Sequence, residues 1–115
     1  MEKFKERTSI IIGDQALERL DQSRVIVFGL GGVGSYVVEA LARAGVGHLT
    51  LVDFDDVDAT NINRQLPALH STIGSKKVDV VLERVRDINP NIDVRGYVSL
   101  YDETTSDRLL EGHYD

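Results

Sequence analysis

Three short aliphatic and β-branched runs, Arg24 to Phe28, His48 to Val52 and Ile92 to Val98, alternate with two stretches in which apolar residues recur at helical spacing. Val33, Val37, Ala40, Leu41 and Ala44 give one amphipathic helix over 33–44, with Gly45 placed to end it in a left-handed conformation. Val78, Val81, Leu82, Val85 and Ile88 form the stripe of the other; Ser75 is the expected cap and Asn89-Pro90 the stop. The first aliphatic run has no polar alternation and predicts a strand buried on both faces. Upstream, Asp14 is placed to cap a short helix carrying Ala16, Leu17 and Leu20. Between the second strand and the second amphipathic helix, Asp53 to Thr60 is too acidic to be core and reads as a loop. Glu103 to Leu110 reads as a weak helix with Leu109 and Leu110 facing inward.

Strands alternating with helical crossovers imply parallel pairing and right-handed connections. The expected fold class is therefore α/β, a Rossmann-like parallel sheet with helices on both faces, of which only the N-terminal half of the doubly wound fold is present. A helical arm is expected over 1–23 and a nucleotide-binding half-domain over 24–115. In the usual strand order the first strand is central, flanked on its far side by a fourth that has no counterpart here, so the chain reads as a piece of a longer protein.

Composition narrows the function. The 115 residues are 42% hydrophobic, enough for one core, and the formal net charge of −6 argues against a broad polyanion-binding surface. No cysteine is present, which removes disulfides, thiolate metal sites and thiol nucleophiles from this stretch. The three histidines, His48, His70 and His113, have no metal-ligand spacing, and Phe4, Phe28, Phe54 and the tyrosines suggest no base-stacking platform. Neither a signal core nor a membrane-length apolar segment is evident, so the cytoplasm is the expected location and no membrane the expected partner.

The chemistry concentrates where the first strand runs into Gly29-Leu30-Gly31-Gly32-Val33-Gly34-Ser35. Glycines at 29, 31, 32 and 34 let backbone approach a phosphate at the mouth of the following helix, whose free N–H groups attract anions. Asp53, at the end of the next strand, suits a ribose hydroxyl. Close strand–helix packing would account for one such glycine, but less well for four. The loop and Asp53 alone fit an NAD-dependent oxidoreductase equally well. Thr60-Asn61-Ile62-Asn63-Arg64-Gln65 and Lys77 tilt the balance, because a triphosphate carries more charge than a dinucleotide pyrophosphate and recruits Arg and Lys side chains. The plainer reading of the same residues pairs Arg64 with Asp53, Asp55, Asp56 or Asp58 and leaves Lys76 and Lys77 solvated.

Together, Arg7, the Gly29–Ser35 loop, Leu51-Val52-Asp53-Phe54-Asp55, Asn61-Ile62-Asn63-Arg64-Gln65, Gly74 with Lys77, and Ile88-Asn89-Pro90 are similar to the ATP-dependent activating enzymes of the ThiF, MoeB and HesA superfamily. The resemblance implies that the glycine loop and Asp53, with Asp55, hold ATP, that Asn61, Arg64, Gln65 and Lys77 grip its phosphates, and that Arg7 reaches the triphosphate of a neighbouring subunit in a homodimer. It implies carboxylate adenylation with magnesium. The family's main magnesium-binding aspartate, any catalytic cysteine and the substrate-recognition region lie beyond the stretch matched here, so no metal ligand is assigned and weak ATP binding with negligible turnover is expected of this chain alone. Within the superfamily, residues 7–20, 39–47 and 60–65 resemble the tRNA threonylcarbamoyladenosine dehydratase branch most. An activating enzyme for a ubiquitin-like sulfur carrier, or a non-catalytic nucleotide-binding subunit, would use the same ATP residues.

Overall fold

The computed structural model describes residues 2–115, so residue 1 of the expected arm lies outside it. Two helices, α1 (Glu6–Ile12) and α2 (Asp14–Gln22), precede β1 (Arg24–Phe28), α3 (Gly34–Ala44), β2 (His48–Asp53), α4 (Lys77–Ile88), β3 (Asp93–Val98) and the short α5 (Ser106–Leu109). The strands form one parallel sheet in the order β1-β2-β3, with Val27 opposite Leu51 and Leu51 opposite Gly96. Two right-handed crossovers that step the same way across a sheet place both helices on one face. The core obeys this: Val38 and Ala42 of α3 and Val78, Val81 and Val85 of α4 pack with Val27, Leu49, Leu51 and Val94.

The opposite face, carrying Phe28 and Thr50, is met by the C-terminal segment that includes α5. Tyr101 lies against Phe28 with ring centroids 4.3 Å apart, and the Tyr114 hydroxyl donates to Thr50 Oγ1 at 3.4 Å. The segment ends at Asp115, whose backbone N–H donates to the Arg24 carbonyl while its Oδ2 accepts from the Arg24 N–H. Thus the α/β class, the parallel order and Rossmann-like topology follow the sequence pattern.

Several local expectations change. β1 is not buried on both faces: Val27 alone is buried and Phe28 is 37% exposed, because α3 and α4 both cover the face that carries Val27, and Phe28 lies on the other. Asp14 is the first residue of α2 and not its cap; the cap is Gly13, whose φ of +84° turns the chain out of α1. Ser75 does not cap α4. An isolated antiparallel bridge between Asp56 and Lys76 holds that stretch extended, and the helix starts one residue later with Lys76 as cap. In the acidic loop Val57 is buried, its N–H donating to Ser75 O and its carbonyl accepting from Gly74 N–H. Of the tail leucines, Leu109 is buried and Leu110 is 45% exposed, since α5 is a single turn and cannot turn both inward. The left-handed end of α3 at Gly45 is present, with φ +100°.

Candidate nucleotide site

β1 ends at Phe28 and Gly29 takes φ +87°, a backbone state open to glycine at little cost. Its N–H still donates to Val52 O at 2.8 Å, so the chain leaves the sheet only after this residue. Gly34 opens α3 where a Cβ would collide with the Gly29 carbonyl oxygen, which fixes how closely helix and strand approach. Side chains added at Gly31 and Gly32 would meet Gln65 Nε2 at 3.5 Å and Arg64 Cγ at 3.9 Å. The 60–65 segment therefore lies directly against the glycine loop, although it is remote in sequence.

Asp53 joins the two loops. Its Oδ2 accepts from the Leu30 N–H and its Oδ1 from the Asp55 N–H, both at 2.7 Å. A carboxylate has about four lone-pair sites, so each oxygen keeps one for a further donor. The residue is 9% exposed and faces a cavity of about 330 Å³ at the carboxyl ends of the strands. Part of that lining is polar: Gly29, Gly31, Asp53, Asp55 and Lys77. Another part is apolar: Phe28, Val52, Leu100 and Tyr101. The volume is within the range of small-molecule sites, and strand carboxyl ends are where open α/β sheets bind ligands.

Lys77 is the decisive side chain. It is 5% exposed, begins α4, and lines the cavity. Burial and the positive end of a helix dipole both disfavour an ammonium there. Among the described residues the one carboxylate within 4 Å is Asp55, with Oδ2 at 3.8 Å, longer than a hydrogen bond. The solvated-lysine reading thus holds for Lys76, paired with Asp56 at 2.7 Å, and not for Lys77. Arg64 is exposed and has no carboxylate within 4 Å among the described residues; its guanidinium donates to Thr60 O at 3.1 Å and Asn63 Oδ1 at 2.9 Å. Both acceptors are uncharged, so its charge stays available.

Asn61 sits one turn before Arg64, where its Oδ1 accepts from the Asp58 N–H while Asp58 Oδ2 accepts from the Thr60 N–H. The Thr60 hydroxyl and N–H hold the Asp58 carboxyl below its ordinary range. Gln65 Oε1 is buried with no hydrogen-bond partner among the described residues. The structure does not bring Arg7 to this cavity: it is exposed on α1, away from the lining. Among the described residues no three His, Asp or Glu side chains converge as a metal site. Asp55, Asp56 and Asp58 are each engaged separately, by Lys77, Lys76 and Thr60. Leu100 and Tyr101 were not singled out from the sequence as site residues. Their signal lies in topology: parallel strands share one carboxyl edge, so residues just past β3 border whatever residues just past β1 and β2 border.

A glycine cradle under a helix mouth, an acid at the second strand end and a buried lysine lining one cavity belong to a Rossmann-like half with a candidate nucleotide site. The chain belongs to the ThiF family, whose model matches residues 5–115. It is 50% identical over 105 residues to the tRNA threonylcarbamoyladenosine dehydratase of Bacillus subtilis, covering 91% of this chain and 41% of that protein. It is 40% identical over 96 residues to the molybdopterin-synthase adenylyltransferase of Escherichia coli, covering 84% of this chain and 39% of that protein. The crystal structure of the Escherichia coli dehydratase TcdA in complex with ATP superposes with a TM-score of 0.93 at 37% identity, over 99% of this chain and 48% of that one. The chain therefore spans about two fifths of the length of the curated relatives it matches.

Proposed function

We propose that this chain is the ATP-holding part of an adenylating enzyme whose carboxylate substrate is a threonylcarbamoyl group on tRNA adenosine. The buried Lys77 ammonium at the cavity wall carries the reading, because it favours an anion and lines the same cavity as a glycine loop suited to admit one. In this scheme Asp53 uses its two remaining lone pairs for ribose hydroxyls, and the backbone at Gly29 to Gly34 receives the phosphates. Lys77 and Arg64 offset the charge that builds as a substrate carboxylate oxygen attacks the α-phosphorus and the bond to pyrophosphate breaks. Ring closure on the adenylate then releases AMP. Asn61 and Gln65 orient donors around the same phosphates.

Magnesium, which the family resemblance implies, has no convergent carboxylate set among the described residues, and no step is routed through it. Arg7, exposed on α1, is free to serve a second copy, which fits a homodimer. Activity on tRNA would place the protein in the cytoplasm; no helix among the described residues is long and apolar enough to cross a membrane.

A second reading, adenylation of the C-terminus of a ubiquitin-like sulfur carrier, draws on the 40% identity to the molybdopterin-synthase adenylyltransferase. The ATP residues are common to both, so a substrate assay separates them. A preference for NAD over ATP in titration would remove both readings. With ATP preferred, Lys77→Gln and Arg64→Ala are each expected to weaken ATP by about tenfold or more while changing adenosine little.

A further inference from the structure

The acidic side of the cavity contains a charge, on Asp55, that the family resemblance counts among the groups holding ATP and to which the proposed reaction gives no step. Asp55 lines the same polar wall as Lys77, and its position is determined by backbone: its N–H donates to Asp53 Oδ1 at 2.7 Å and its carbonyl accepts from the Lys77 N–H at 3.1 Å. Its carboxylate is half exposed, and Oδ2 stands 3.8 Å from Lys77 Nζ. A carboxylate facing a phosphate site repels the ligand, and this one sits next to the group most suited to attract it. Its two neighbours are otherwise committed, Asp56 to Lys76 and Asp58 to Thr60, which leaves Asp55 as the counter-charge of a buried lysine at a helix N-terminus.

We propose that Asp55 is a placeholder for phosphate, a positioning residue that neutralises the Lys77 ammonium until an arriving phosphate oxygen displaces it. The loose distance suits that role: an ion pair at 3.8 Å lies beyond hydrogen-bond length and gives way to a shorter charge-assisted bond from the same ammonium to phosphate. Asp55 opposes binding through Lys77, and its contribution is largest for the phosphate chain and absent for the nucleoside. This rests on the nucleotide reading only for the identity of the anion; the exchange of partners at Lys77 applies to any polyphosphate.

Calorimetric titration of the protein with inorganic triphosphate, in the absence of divalent metal, tests it. Asp55→Asn keeps the shape and removes the charge, and is expected to bind triphosphate about fivefold more tightly than the unaltered protein. Adenosine affinity should be unchanged. With Lys77→Gln already present, adding Asp55→Asn should change triphosphate affinity less than twofold, because the partner to be released is gone. A gain that persists in the Lys77→Gln background would mean simple repulsion and overturn the placeholder role. Weaker metal-free binding by Asp55→Asn would overturn it, and a loss of affinity that appears only when magnesium is added would make Asp55 a metal ligand and also overturn it. Absence of triphosphate binding in every variant overturns it as well. Melting by circular dichroism identifies misfolding, and Asp55→Ser provides a second neutral side chain. If ATP fails to bind but triphosphate behaves as expected, the nucleotide reading falls and the placeholder stands; if ATP binding depends on Lys77 but Asp55→Asn gains nothing, the reverse holds.

Discussion

Individual side chains in this molecule act through what their backbone neighbours permit. Gly34 illustrates this: a Cβ would strike the Gly29 carbonyl oxygen, so Gly34→Ala must either push α3 off the sheet or open the loop. Its expected cost is about 3 kcal/mol or more, read as a fall in urea midpoint, with ATP binding lost in parallel. Gly47 is the control, since a Cβ there collides with the Asp21 carbonyl, remote from the cavity. Gly47→Ala should destabilise comparably yet leave ATP affinity intact under conditions where the protein stays folded. Gly34 is legible in the sequence as part of the glycine loop, whereas Gly47 is not, because its partner comes from the end of α2, a contact without a local signal.

At the scale of elements, α3 and α4 are clamped over the sheet by one carboxylate. Glu39 on α3 accepts from Arg84 on α4 at 2.6 and 3.0 Å and from Arg43 at 2.9 Å. The Arg84 guanidinium, and after it Arg43, hold the Glu39 carboxyl below its ordinary value. A depressed folded value means the contribution is complete above the ordinary carboxylate range and is lost as pH falls through the lower one. Glu39→Gln is therefore expected to cost about 1 kcal/mol near neutrality, with the difference from the unaltered protein shrinking as denaturation curves are taken down to about pH 3. Leu109→Ala, removing the buried residue of the one-turn α5, should cost about 2 to 3 kcal/mol and be seen as a lower melting temperature. The strands and the two crossover helices were legible because β-branched runs and helical stripes are local patterns. The start of α4 was not, because the Asp56–Lys76 bridge that delays it links positions across a loop, and Ser75 carries every local mark of a cap. α1 went unresolved within the expected arm for a related reason: Ile10 and Ile11 look like core residues but are 80% and 85% exposed, so no buried face announces the helix.

For the molecule as a whole, both crossover helices lie on one face and the carboxyl edge of the sheet gathers the three segments that frame the cavity. Binding there should stabilise the entire fold: ATP at about 100 times its dissociation constant is expected to add about 2.7 kcal/mol, raising the melting temperature, and a Lys77→Gln variant that binds about tenfold more weakly should gain, at the same concentration, only about half of that, about 1.4 kcal/mol or less. The glycine loop and Asp53 were readable from sequence because that motif is contiguous in its logic, strand to loop to helix. The burial of Lys77, the availability of Arg64 and the apolar wall at Tyr101 emerge only when distant segments meet at that edge. Asp53 sets a limit on how such a site can be changed. Its two oxygens fasten Leu30 on one loop and Asp55 on another, so the residue that would discriminate between nucleotides is also a rivet between the walls that surround them. Substituting it to switch ligand preference would also release the two backbone N–H groups it holds, so a change of ligand would come with a loosened pocket.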